Sequence, residues 1–119
     1  MPWTLAQLVG RYRLLVSEEL LAFVERTFVE PAPEPERAAI RADALAEAAA
    51  AELVIEPDGT VISRAGAVEF YRIQLKIVGT VEQVRFEKAP GQSVALRLLD
   101  PNTLQAVQPG KPDAVFVRA

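Results

Sequence analysis

The sequence predicts an α+β domain that is mainly antiparallel β. We expect a meander of about seven or eight strands forming a small barrel or a strongly bent sheet, with two helices inserted after the first strand. Near residue 52, helix-favouring sequence gives way to short runs of alternating hydrophobicity. Clusters of Gly, Pro, Asp and Asn interrupt these runs at 58–59, 90–92, 100–102 and 109–113. Such spacing is typical of hairpin turns.

The chain begins with a short segment that we expect to form one helical turn. This turn should deliver Trp3 and Leu8 to the core before the chain reaches Gly10. The first strand is predicted directly afterwards, with Tyr12 and Leu14 on the same face because strand side chains alternate.

Two helices are predicted in an insertion at about residues 17–51. Ser17 is a candidate N-cap, since its hydroxyl can accept a free backbone N–H at the helix start. The apolar stripe of this helix, which should end near Glu30, is predicted at Leu20, Leu21, Val24, Thr27 and Phe28. Prolines at 31, 33 and 35 favour an extended connection. Alanine-rich residues 36–51 then predict a second helix, with a partly ordered low-complexity segment as the alternative.

From residue 53 onwards the hydrophobic period becomes two. The longest strand is predicted over residues 69–78, with Tyr71, Ile73, Leu75 and Ile77 on its buried face. Further strands should carry inward apolar side chains near Val84, Leu96 and Leu104, and residues 115–118 should form the last strand. Basic residues on several strands predict a solvated outer face, with an anion-binding face as the alternative: Arg11, Arg13, Arg72, Lys76, Arg85 and Arg97.

Composition limits the chemistry available to the chain. At 119 residues it suits a single domain over 1–119, and it contains neither cysteine nor histidine. Without these side chains we expect no metal site, no cofactor and no enzymatic activity. The net charge of −3 argues against nucleic-acid binding. No apolar run is long enough to span a bilayer and no signal segment is evident, so we expect a cytoplasmic protein.

Three segments resemble the lipocalin-like, or calycin-like, small barrels. They are residues 8–14 (LVGRYRL), 53–61 (LVIEPDGTV) and 115–118 (VFVR). In the lipocalins a tryptophan follows a glycine by two positions on the first strand. Here Tyr12 takes that place, and the tryptophan of the chain, Trp3, lies before Gly10. The resemblance also implies that an arginine of the closing strand packs over an aromatic ring, which predicts a contact of Arg118 with Trp3 or Tyr12. It further implies an apolar ligand inside the barrel.

The function predicted from these observations is non-enzymatic binding of an apolar or amphipathic small molecule. The inward residues expected to contact it are Tyr71, Ile73, Leu75, Phe86, Leu96 and Phe116. The alternative is a structural or protein-interaction domain, which could be a homodimer, whose apolar side chains simply fill the core. A third, weaker alternative is an enzyme that uses Tyr71, or Glu69 with Arg72.

Overall fold

A computed structural model describes residues 2–119 and contains eight strands and three α-helices. The strands are β1 (Gly10–Leu14), β2 (Ala51–Ile55), β3 (Thr60–Ala65), β4 (Val68–Gln74), β5 (Val84–Ala89), β6 (Gln92–Asp100), β7 (Thr103–Val107) and β8 (Ala114–Arg118). The helices are α1 (Leu5–Leu8), α2 (Glu18–Val24) and α3 (Arg37–Ala50). A π-helical segment, Glu25–Val29, extends α2, and a 3₁₀ turn, Glu34–Glu36, precedes α3.

All eight strands form one antiparallel sheet in the order β4-β3-β2-β1-β8-β7-β6-β5. The sheet curls into a nearly closed barrel, which confirms the predicted fold class. Its seam lies between β4 and β5, where the rings of Tyr71 and Phe86 are 5.7 Å apart. Near the seam, Trp3 and Val81 exchange backbone hydrogen bonds of 2.9 and 2.8 Å. The chain start therefore covers part of the seam.

Because neighbouring strands are antiparallel, their connections alternate between two ends of the barrel. The helical end has the β1 to β2 connection, with α2 and α3, and the turns at 66–67, 90–91 and 108–113. The terminal end has α1, the C-terminus and the connections at 56–59, 75–83 and 101–102. Each predicted turn cluster thus lies between two strands.

One hydrophobic core lies on the concave face of the sheet. Its largest fully buried side chains include Tyr12, Leu8, Leu53, Leu96 and Leu104. Trp3 is buried with them, so the prediction that the opening helical turn brings Trp3 and Leu8 into the core is confirmed. Burying a side chain of leucine size contributes roughly 1.5–3 kcal/mol, and this core therefore supplies the main favourable term for the barrel.

The first inserted helix begins as predicted but presents a different face in its second half. The Ser17 hydroxyl accepts the N–H of Leu20 at 3.2 Å and caps α2. The following turns are π-helical, which brings residues five apart onto one face. Val24 and Val29 are therefore buried, whereas Phe28 is 51% exposed. The predicted stripe was wrong at Leu21, Thr27 and Phe28, which are all exposed. At Thr27 and Phe28 the error came from assuming an unbroken α-helical period.

Helix α3 packs against the outer face of the barrel at β1 and β3. Ile62 of β3 points away from the core yet is only 3% exposed, which shows that this part of the outer face is covered. The proline bend before α3 is fixed by Arg37, whose guanidinium donates to the carbonyls of Glu30 and Ala32 at 3.0 Å each. An ion pair between Arg41 and Glu25 joins α3 to the π-helical segment.

Strand β4 ends at Gln74, earlier than the predicted residue 78. Its only sheet neighbour among the described residues, β3, starts at Thr60, which lies opposite Gln74. The N–H of Leu75 still donates to the carbonyl of Gly59 at 2.9 Å. In the described part of the chain, residues 76–78 have no strand beside them, because β3 begins at Thr60. The alternation of inward and outward side chains nevertheless continues to Ile77.

Arg118 of the last strand joins both chain termini at the terminal end. Its guanidinium lies over the ring of Tyr12, with Cζ 4.8 Å from the centroid. It donates to the Tyr12 hydroxyl at 2.8 Å and to the carbonyls of Val9 at 2.7 Å, Gln7 at 3.0 Å and Pro101 at 3.1 Å. The Tyr12 hydroxyl donates in turn to the carbonyl of Leu8 at 2.5 Å. We call this arrangement the Arg118 clasp. The expected contact of Arg118 with an aromatic ring is present, at Tyr12.

We expect Gly10→Ala to destabilise the protein by about 3 kcal/mol, from backbone strain and lost hydrogen bonds to a charged group. Gly10 has φ +150°, and an added Cβ would lie 2.2 Å from Nη1 of Arg118. The measurement is the free energy of unfolding in denaturant. Gly91→Ala is the control, because Gly91 has φ +75° with open space around it; its loss should be about 1 kcal/mol. Equal losses would show that the clasp does not depend on Gly10.

Candidate functional site

The inward rows of several strands are apolar along the barrel and become polar at the helical end. On β5 the row is Val84, Phe86 and Lys88, and on β6 it ends in Gln92 after Leu96 and Val94. On each of the strands β3 to β6, the inward row has a polar side chain near the helical end, and Gln108 directly follows β7. We call these five residues the mouth ring: Ser63, Tyr71, Lys88, Gln92 and Gln108. The barrel thus has an apolar interior and a polar rim.

The mouth ring lines a pocket of about 340 Å³ that is open to solvent on one side. Lys111 from the β7 to β8 loop and Glu47 from α3 complete its polar lining, and Phe70 and Ala89 supply apolar surface. The pocket therefore borders the seam between β4 and β5, and its residues come from strands, a loop and a helix. A small molecule in it would meet both polar groups and aromatic carbon.

Two ammonium groups define the electrostatics of this pocket. Lys88 donates to Oε1 of Gln108 at 2.8 Å. Burial lowers the pKa of Lys88, and the nearby ammonium of Lys111 lowers that pKa further. Within residues 2–119, neither lysine forms a salt bridge with a carboxylate. Two positive charges thus lie close together without a direct counter-charge.

Tyr71 lies at the inner side of the same pocket and pairs with Ser63 across β3 and β4. Burial raises the pKa of Tyr71 to about 12, while a hydrogen bond with Ser63 opposes that rise. The phenol is therefore neutral near pH 7 and able to donate a hydrogen bond.

A second pocket, of about 580 Å³, lies at the terminal end. It is lined by Pro2, Trp3, Gln7, Leu98, Leu99, Asp100, Pro101 and Arg118. The guanidinium of Arg118 in this lining already belongs to the Arg118 clasp, because its Nε, Nη1 and Nη2 all donate to acceptors of the protein itself. The polar groups of this pocket thus hold the fold together, whereas the lysines of the first pocket have unused donors.

The predicted ligand-contacting residues all belong to the core or pack against it. Leu75, Leu96 and Phe116 are buried in the core, and Tyr71, Ile73 and Phe86 are partly buried against it. Tyr71 also lines the pocket at the helical end. The structure therefore places this set on the concave face and brings Tyr71 to the candidate site.

Sequence reasoning missed Lys88, Lys111 and the glutamines of the mouth ring. A signal was present, because connections in a meander alternate between the two ends and the turns at 90–91 and 109–113 share an end. Lys88 also continues the apolar row of Val84 and Phe86, where a charged residue is unexpected. The basic residues noted on the strands lie elsewhere and are exposed: Arg11, Arg13, Arg72, Lys76, Arg85 and Arg97.

Comparison with protein-family models, with curated proteins and with solved structures found no match. No helix formed by residues 2–119 is both long and apolar enough to cross a membrane. In the same part of the chain, no three acidic side chains gather into a group that could hold a metal ion.

Alkaline titration should show that both tyrosines of the chain ionise above pH 10 in the folded protein. Burial raises the pKa of Tyr12 and raises that of Tyr71 to about 12. The folded state thus holds these protons more tightly than the unfolded state, so stability is unchanged below pH 10 and falls as the pH rises towards 12. Tyrosinate absorbance against pH, with and without denaturant, measures the difference. Full ionisation near pH 10 in the folded state would contradict the buried setting of both rings.

Proposed function

We propose that this protein is a non-enzymatic binding module for a small apolar or amphipathic molecule, which enters at the helical end of the barrel. The observation that carries this proposal is the pocket of about 340 Å³ at the mouth ring. Ligand sites are typically concave and combine convergent polar groups with apolar surface, and this pocket combines the polar mouth ring with Phe70 and Ala89. The likeness to lipocalin-like barrels supports the same proposal from the sequence, although fold alone does not determine function.

The two ends of the barrel differ in a way that supports entry at the helical end. At the terminal end, Trp3 and Leu8 are buried, and Arg118 ties the first and last strands together. At the helical end, Lys111, Gln92 and Glu47 are exposed around the opening. A ligand there would displace solvent and would leave the core packing at the terminal end unchanged.

A second candidate function is a protein-interaction or structural domain, including a homodimer. The exposed apolar side chains of β4 favour it, since Val68 is 61% exposed and Phe70 is 50% exposed on a strand at the edge of the sheet. Exposed apolar side chains on an edge strand are a common means of association. We further propose a cytoplasmic setting, because a chain without cysteine needs no oxidising compartment.

Native mass spectrometry of the gently purified protein, followed by incubation with decanol, tests the ligand proposal. We expect a bound mass in the natural preparation or after incubation. Ala89→Trp should abolish it by filling the pocket, because Ala89 lines the opening. Ala67→Trp, at the exposed β3 to β4 turn, is the matched control and should leave binding unchanged.

The same spectra decide between the two functions because they report the assembly state as well as the bound mass. A bare dimer that takes up no decanol would contradict the ligand proposal and support the interaction domain. Equal decanol binding by both tryptophan variants would place the ligand somewhere other than the mouth pocket. Circular dichroism of each variant verifies that it is folded before the comparison is made.

A further inference from the structure

The two lysines of the mouth pocket suggest which class of molecule it selects. Lys88 is the second-last residue of β5 and lies on its inward row near the helical end. Lys111 lies on the β7 to β8 loop and lines the same pocket. They come from different hairpins, so the fold and not a local run of sequence brings them together. A pair of close ammonium groups repels itself, and an anion between them would remove that repulsion.

We propose that the ligand of the mouth pocket is an amphiphile with a single anionic head, a carboxylate or a phosphate, held between Lys88 and Lys111. This inference rests on the proposed function and adds the chemical class of the ligand. Each ammonium has three N–H donors, and Lys88 uses one of them on Gln108. The remaining donors supply charge-assisted hydrogen bonds to the head, which are stronger than neutral ones.

Neutral groups around the lysines complete the recognition of such a head. The Tyr71 phenol is protonated at neutral pH and can donate to an anionic oxygen. The amides of Gln92 and Gln108 and the Ser63 hydroxyl lie on the same lining and supply further donors. The charged head is therefore surrounded by donors, an arrangement that compensates for its loss of water.

The apolar part of the ligand has a matching surface in the same pocket. Phe70 and the ring of Tyr71 line it, and Tyr71 is in contact with Phe86 across the seam. A short alkyl or aromatic tail would lie along these rings while the head stays at the rim. Head and tail thus find separate polar and apolar regions, which is the pattern expected for an amphiphile.

Glu47 is the one acidic residue in the pocket lining. It is exposed on α3 and forms no salt bridge with either lysine within residues 2–119. Its carboxylate would repel an anionic head through solvent, where screening makes the effect small. We therefore expect Glu47→Gln to bind the anion about twofold more tightly.

The experiment compares three probes with the same tail: decanoate, decanol and decylammonium. Isothermal titration calorimetry on the full chain measures their affinities at low and at high salt. We expect decanoate to bind about tenfold more tightly than decanol, with decylammonium weakest, and we expect added salt to reduce the advantage of decanoate. Acetate and inorganic phosphate show whether the head alone is sufficient, and decyl phosphate shows which anion the site prefers.

Variants assign the effect to the lysines. Lys88→Gln and Lys111→Gln should each reduce decanoate affinity about tenfold and leave decanol affinity unchanged. Lys76→Gln is the matched control, because Lys76 is an exposed lysine at the terminal end and its loss should change neither affinity. Each variant's unfolding midpoint is measured first. If one lysine variant does not fold, the other tests the assignment, and the salt dependence of decanoate binding by the wild type tests the anionic head.

Each outcome bears on a different claim. Equal binding of decanoate and decanol, or preferred binding of decylammonium, would overturn the anionic head while leaving the binding module in place. A decanoate advantage that survives both lysine substitutions would overturn the assignment to Lys88 and Lys111. Failure of all probes to bind would overturn the proposed function itself. Tight binding of acetate or phosphate alone, with no gain from a tail, would overturn the amphiphile and leave a site for free anions.

Discussion

The structure depends on the hydrogen bonds that Arg118 makes at the terminal end. A meander of antiparallel strands becomes a barrel only if its first and last strands meet, and here β1 pairs with β8. Arg118 reinforces that pairing by donating to Val9 before β1, to Tyr12 within it and to Pro101 in the β6 to β7 turn. Hydrogen bonds to a charged group are worth more than neutral ones, so a single residue secures three parts of the chain. Gly10 leaves room for Arg118, since a side chain at position 10 would occupy the space of the Arg118 guanidinium.

The two ends of the barrel differ in what their polar groups do, because Arg118 uses its donors within the fold whereas the lysines of the mouth pocket keep free donors. The helices connect β1 to β2 at the helical end, and α3 packs on the outer face at β1 and β3, where Ile62 is buried. The opening itself is lined by the mouth ring and by Lys111. A stable terminal end and a polar, solvent-accessible opening are separate features, so substitutions at the lysines should affect binding with little cost to the core. This separation is what makes the proposed function testable by mutation.

The sequence predicted the fold well because turn chemistry and strand alternation are local signals. The clusters at 58–59, 90–92, 100–102 and 109–113 all lie between consecutive strands, and the inward faces of β4 and β6 follow the predicted alternation. Two local features escaped prediction. The first is the π-helical turn, which buries Val29 in place of Phe28 and depends on packing. The second is the end of β4 at Gln74, which is set by the start of the neighbouring strand β3 at Thr60.

The candidate site was harder to predict because it is assembled from distant parts of the chain. Tyr71 was expected to face inward, which the structure confirms. That Lys88 and Lys111 line one pocket follows only once the β5 to β6 and β7 to β8 connections are known to share an end. The most direct test of the role of Arg118 compares the free energy of unfolding of Arg118→Met with that of Arg97→Met, because Arg97 is exposed on β6. If Arg118 secures the barrel, the first variant should lose about 3 kcal/mol and the second less than about 0.5 kcal/mol. Equal and small losses would contradict the central role of the Arg118 clasp.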